Sequence, residues 1–138
     1  MADEREQVLQ ANRDFYRAFE TLEVEKMEEI WLKQPHIICV HPGWPRLQGW
    51  GPIMASWDRI FESTFGMKFD LVEVEVVLRG GLAVVVVEEN IEQRGYDGIT
   101  KSQVMATNVF ELVGDRWYMV LHHGSPVSAP SVDEPPLQ

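Results

Sequence analysis

With 138 residues, 45% hydrophobic and 25% charged, the chain has the size of one packed domain and is too apolar for wholesale disorder. Its 12 basic against 22 acidic side chains leave a formal charge of −10, which excludes general phosphate-backbone binding, so no nucleic-acid partner is expected. No apolar run nears the roughly 18–20 residues of a membrane span, Met1-Ala2-Asp3-Glu4-Arg5 lacks the order of a signal peptide, and the single Cys39 excludes an intrachain disulfide framework, so a cytoplasmic domain is expected.

Asp3 followed by Glu6 is a helix-start signal, and Val8, Phe15, Phe19 and Leu22 recur behind it at helical spacing. The first helix is therefore expected over residues 4–21, with Ala11 and Ala18 filling its apolar stripe. A second helix, 24–32, sets Val24, Met27, Ile30 and Trp31 against Glu25, Lys26, Glu28 and Glu29, and closes before Pro35. Residues 37–41 form a strand, and Pro42-Gly43-Trp44-Pro45 a loop. Pro52 opens the third helix, 52–65, with Ile53, Trp57, Ile60, Phe61 and Thr64 on one side. Four long strands follow at 69–79, 82–94, 100–113 and 117–125. Gly80-Gly81, residues 95–98 and Gly114-Asp115 turn between them. In the strand 69–79, Val72, Val74, Val76 and Leu78 fall on one face and Glu73 and Glu75 on the other. Residues 1–127 read as a single domain and 128–138 as a proline-rich tail.

This order predicts an α+β domain, its three N-terminal helices packed on the concave face of a strongly curved, mainly antiparallel sheet. Residues 82–91, 103–113 and 117–121 are apolar at both strand parities. Helices can cover only one face, so a homodimer through the outer sheet face is expected.

Helix, helix, strand, Gly/Pro loop, helix and strand meander together resemble the NTF2-like superfamily, and within it the small SnoaL-like bacterial proteins. The most specific segments are Val40-His41-Pro42-Gly43-Trp44, residues 49–60, Ala106-Thr107-Asn108-Val109-Phe110, and residues 117–125, which include His122-His123-Gly124-Ser125. The resemblance covers residues 6–127 and implies a conical apolar and aromatic cavity. It places His41 where the steroid isomerases of this superfamily carry their general base. It also sets Phe15 at their tyrosine donor and Thr107–Asn108 at their acid donor, so steroid isomerisation is not expected. His123 matches the second histidine of the family's Val-His-x-His ending, and Leu121 replaces the first.

His41 can take a proton near neutral pH. Asn108 interrupts an apolar strand and must find polar partners. Glu88, Glu89 and Asn90 follow the apolar run 82–87; Glu88 and Asn90 share a face, Glu89 takes the other, and one carboxylate is expected to point inward. His122 and His123, adjacent on a strand, leave opposite faces and cannot chelate one metal. No metal and no cofactor are expected. Ser56, on a helix, has no histidine at a neighbouring turn.

The expected function is binding of a small apolar or aromatic molecule, with Tyr16, Trp44, Trp57, Phe61 and Asn90 around the ligand. The alternative is an enzyme of the cyclase, isomerase or dehydratase type. There His41 is the general base and Asn108, Glu88 and His123 are the accompanying polar groups.

Overall fold

The computed structural model describes residues 3–128, so the proline-rich tail lies largely outside the described residues. Its elements run α1 (Glu4–Thr21), α2 (Val24–Glu28), β1 (Ile38–Val40), β2 (Leu47–Gln48), α3 (Trp50–Glu62), β3 (Gly66–Arg79), β4 (Leu82–Gly95), β5 (Gly98–Val113) and β6 (Arg116–Pro126). The strands form one sheet in the order β2-β1-β6-β5-β4-β3, in which only β1 and β6 run parallel. The α+β class and the helices-then-meander order hold.

Asp3 caps α1 by accepting from the Glu6 N–H at 2.8 Å, which satisfies one of the free donors of the first turn. Val8, Asn12, Phe15, Tyr16 and Phe19 bury the stripe of α1. Phe19 meets Phe69 of β3 edge to face, and Phe15 lies 4.9 Å from the ring of His122 on β6. Trp57 of α3 joins the same cluster through Phe15, Phe19 and Phe61. Helices and sheet thus share one apolar layer built from the inward parity of each strand: Ala83, Val85 and Val87 on β4, Ala106 and Phe110 on β5, and Met119 on β6.

Three boundaries differ from expectation, each for a local reason. Helix α2 stops at Glu28, because residues 30–32 join the sheet: Leu32 N–H donates to Met119 O, Met119 N–H to Ile30 O, and Trp31 bridges to Met119. A short strand β2 pairs with β1 in a stretch with no alternation to betray it. Helix α3 begins at Trp50, so Pro52 sits inside the first turn, where a missing N–H costs no hydrogen bond.

Two β-bulges matter more. Between Val72 and Glu75, β3 carries an extra residue, and Glu73 takes the left-handed conformation, φ 53°. The phase of β3 changes there. Val74, Val76 and Leu78 pack on the core as expected, whereas Val72 pairs with Glu88 on the other face. The second bulge lies on β6. Val109 pairs with Leu121 but Phe110 pairs with Met119, so Val120 is the extra residue. Beyond it the inward side chains of β6 fall on even positions.

Candidate functional site

Strand parity sorts the candidate residues into two groups. Cys39 and His41 leave β1 and its continuation toward the helices, Glu89 extends the inward row Val85–Val87 of β4, and Asn108 stands inward on β5 opposite His122 of β6. His41 and Glu89 are 3% exposed, His122 2% and Asn108 0%. Glu88, Asn90 and His123 lie on the opposite face. Glu88 pairs with Val72 and Met105, Asn90 accepts from the Gln103 amide at 3.1 Å, and His123 is exposed beside Thr107. The expected Glu88 and His123 are therefore replaced inside the fold by Glu89 and His122. For the histidines the cause is the bulge at Val120, which moves the inward phase of β6 by one residue. For the glutamates it is uninterrupted alternation along β4.

The inward groups are joined by hydrogen bonds whose proton directions can be counted. The Tyr16 hydroxyl donates to Glu89 Oε2. Asn108 Nδ2 donates to Asn12 Oδ1 at 2.9 Å and to Tyr16 Oη at 3.1 Å. Asn108 Oδ1 thus faces His122 Nδ1, at 2.6 Å, and accepts its proton. His122 is the Nδ1–H tautomer, with Nε2 bare. At the other side, Ser56 Oγ donates its single proton to Ile53 O at 2.6 Å and so accepts from His41 Nε2 at 2.8 Å. His41 is the Nε2–H tautomer, with Nδ1 bare. Cys39 Sγ, 3.7 Å from Nε2 and 3.9 Å from Nδ1, makes only a weak contact. The Ser56 partner that its own helix could not supply comes from β1.

Burial sets the charge states. It pushes the Glu89 carboxyl up to about 7, against a downward pull from the Tyr16 hydrogen bond. Burial lowers His41 to about 4. It lowers His122 to about 3, with His41 and His123 nearby adding to the effect. Tyr16 is raised well above its ordinary value by burial and by the neighbouring Glu89 charge, and burial also raises the Cys39 thiol. Both imidazoles are consequently neutral at pH 7, and Glu89 alone changes charge there.

His41, Glu89 and His122 form the floor of a pocket of about 390 Å³. Phe19, Trp44, Met67 and Val104 wall it, and Pro42, Ser102 and Pro126 stand at its mouth. Of the residues expected around a ligand, Trp44 lines this pocket directly. Tyr16 reaches it through Glu89, while Trp57 and Phe61 pack behind, with Trp57 edge-on to His41 at 4.7 Å. Asn90 belongs to the outer face. A second groove, about 350 Å³ between α1 and the β5–β6 turn, is lined by exposed charges such as Glu6, Asp115 and Arg116, and none of the inward polar groups faces it. Among the described residues no three His, Cys, Asp or Glu side chains gather to hold a metal ion.

Gly124 sets the mouth. A Cβ there would stand 3.1 Å from both Pro42 Cγ and Val104 Cγ1, tighter than side chains normally pack, so the Pro42 ring lies against β6 only because that methyl is missing.

Asn12 and Ser56 went unforeseen in the sequence. Asn12 had a signal: it stands four residues from both Val8 and Tyr16, a polar residue inside an apolar helical stripe. Ser56 had none, since its partner is fifteen residues away on a strand.

Residues 8–130 match the SnoaL-like domain family. The chain belongs to that family. Among solved structures, one of an NTF2-like protein from Streptomyces avermitilis is 38% identical and superposes with a TM-score of 0.84, covering 90% of this chain and 96% of that one. It carries a provisional dehydratase name. Another, from Thiobacillus denitrificans and provisionally named a calcium/calmodulin-dependent protein kinase type II association domain, is 29% identical with a TM-score of 0.77, covering 86% and 93%. The F-box protein SKIP8 of Arabidopsis thaliana is 25% identical over 118 residues, 86% of this SnoaL-like chain. The chain spans about half that protein's length, 48%. Among the described residues no helix is long and apolar enough to cross a membrane.

Proposed function

We propose that this SnoaL-like domain holds a small, flat, largely apolar molecule between Trp44 and the Glu89–His122 floor, and that Glu89 moves a proton on it. One observation carries the reading. A carboxyl group buried to 3% exposure, and raised to about 7, opens into a pocket of ligand size. A group that gains and loses its proton near pH 7 suits general acid–base catalysis. Tyr16 fixes its orientation, and Asn108 and Asn12 fix Tyr16. This reading moves the proton-transfer role from His41, which burial lowers to about 4 and so makes a weak base, to Glu89. The dehydratase name of the 38% identical relative favours the same class, because eliminating water takes a proton from carbon and returns one to the departing hydroxyl.

The second reading is binding without chemistry, as the association-domain name of the Thiobacillus relative suggests. A fragment screen by thermal shift tests both, with binding located by the imidazole NMR signals of His41 and His122. Binders that shift both rings, and a turnover found in the wild type but lost in Glu89→Gln, are the expected outcome. Binding with equal behaviour of the two proteins removes Glu89 from any chemistry. Binding at a concentration 100-fold above Kd should add about 2.7 kcal/mol of stability.

Assembly belongs to the same proposal. Val77, Leu82, Met105 and Val113 remain exposed on the outer face or at its ends. A second copy laid across that face in a cytoplasmic homodimer would remove an apolar surface larger than monomers usually leave wet.

A further inference from the structure

The proton directions on the pocket floor restrict what the pocket can receive. The N–H of His41 points to Ser56 and that of His122 to Asn108, so the nitrogens left, Nδ1 and Nε2 respectively, are acceptors. Glu89, which also lines the pocket, accepts from Tyr16 through Oε2, so its Oε1 is a third acceptor with no bond given to it. The donors of the lining, Trp44, Ser102, Gln93 and Gln103, belong to the walls and mouth, and the floor itself presents acceptors. Gln93 donates to Thr64 Oγ1 at 3.4 Å and Gln103 to Asn90 Oδ1 at 3.1 Å. Among the described residues no lysine or arginine lines the pocket; Arg59 packs instead over the Trp44 ring, 5.7 Å from its centroid. A carboxylate ligand would meet no cation and would face Glu89. A ligand turning only carbonyls to this floor would meet acceptors with acceptors. Each mismatch leaves buried polar groups unpaired, which is the strongest discrimination a pocket can exert.

We infer that the pocket selects an uncharged dihydroxy-aromatic, a flat ring whose two hydroxyl protons are received by His41 Nδ1 and His122 Nε2 while Trp44 and Phe19 contact its faces or edges. This rests on the reading of the pocket as a ligand site, and deepens it by fixing the polarity of the ligand. The choice of an aromatic over an aliphatic diol follows from the walls, which offer rings and branched carbons and little to solvate a flexible chain.

The test uses the full chain at pH 8 with three probes: catechol, o-xylene, which has nearly the same shape with methyls for hydroxyls, and benzoate. The expected result is that catechol binds at least about tenfold more tightly than o-xylene although it is the less hydrophobic of the two. Benzoate should bind more weakly than either. Nitrogen-15 spectra of the free protein should show His41 protonated at Nε2 and His122 at Nδ1, and catechol should shift the two bare nitrogens. If o-xylene equals or exceeds catechol, if benzoate binds best, or if the tautomers are reversed, the donor requirement is overturned while the ligand pocket stands. If no probe, and no other uncharged aromatic, moves either imidazole, the ligand-site reading falls and the inference with it.

Discussion

Glu88 and Glu89 are neighbours on one strand, as are His122 and His123 on another, and the sheet treats the members of each pair differently. The outward pair, Glu88 and His123, meets Met105, Val72 and Thr107 on the opposite face. The inward pair sits under α1 and α3, with every polar contact assigned a direction by Tyr16, Asn108 and Asn12. Chemical capacity is therefore a property of the face, given to a residue by its phase along the strand. The inner side pays for that capacity in stability, since Tyr16, Cys39, His41, Glu89 and His122 are all held out of water there.

The contrast between faces is broken most severely at Asn108. Replacing it with Ala strips partners from Asn12, Tyr16 and His122 together and should cost about 3 kcal/mol or more, read from the denaturant midpoint. Thr107→Ala, one residue away on the outer side, should stay within about 0.5 kcal/mol. Equal costs would mean that the network contributes nothing beyond packing.

Next in size is a pH-dependent difference at the glutamates. The folded state raises the Glu89 carboxyl from 4.5 to about 7, so it binds that proton more tightly than the unfolded chain does. Wild-type stability from this group is thus full below pH 4.5 and declines as pH rises to 7. Glu89→Gln keeps an acceptor for Tyr16 and removes the decline. The variant should gain on the wild type progressively across that window, reaching about 3 kcal/mol at pH 8. His41 and His122 act with the opposite sign, withdrawing stability as pH falls below 6.5 toward about 4 and about 3. Parallel curves for the wild type and Glu89→Gln would place Glu89 in water.

The smallest effect on chain stability, though visible in mass, concerns the outer face itself. Val84→Asp should convert a particle of twice 15.9 kDa into one of 15.9 kDa by light scattering, with little change in the fold of each chain. A wild type that already scatters as a monomer would leave the outward Val84, Val86 and Leu121 without a covering partner.

What the sequence disclosed and what it hid divide along the same physical line. Helical stripes and strand alternation are periodic, and periodicity located α1, α3 and the four long strands and their turns. Glu89 was legible too, since it continues the row Ala83–Val85–Val87 without interruption. His122 was not. Counting by twos from Trp117 and Met119 leads to Leu121 and His123, and only the bulge at Val120 diverts the count. Such a bulge is a pairing fact, settled between two strands, and leaves no mark in the composition of one. Val72 was misplaced for the same reason at the β3 bulge. Ser56 and Asn12 were hidden differently. Their importance lies in partners far along the chain, which no local window contains.

The missing methyl at Gly124 has a consequence for how this pocket could diversify. Because the Pro42 ring rests against the place where a Cβ would stand, the aperture is governed by carbon count at a single strand position that itself holds no proton. Lineages could therefore retune which molecules enter by one-codon steps at that position, leaving the interior machinery untouched. Selectivity at the threshold and chemistry at the base would then be separately heritable traits of the same small sheet.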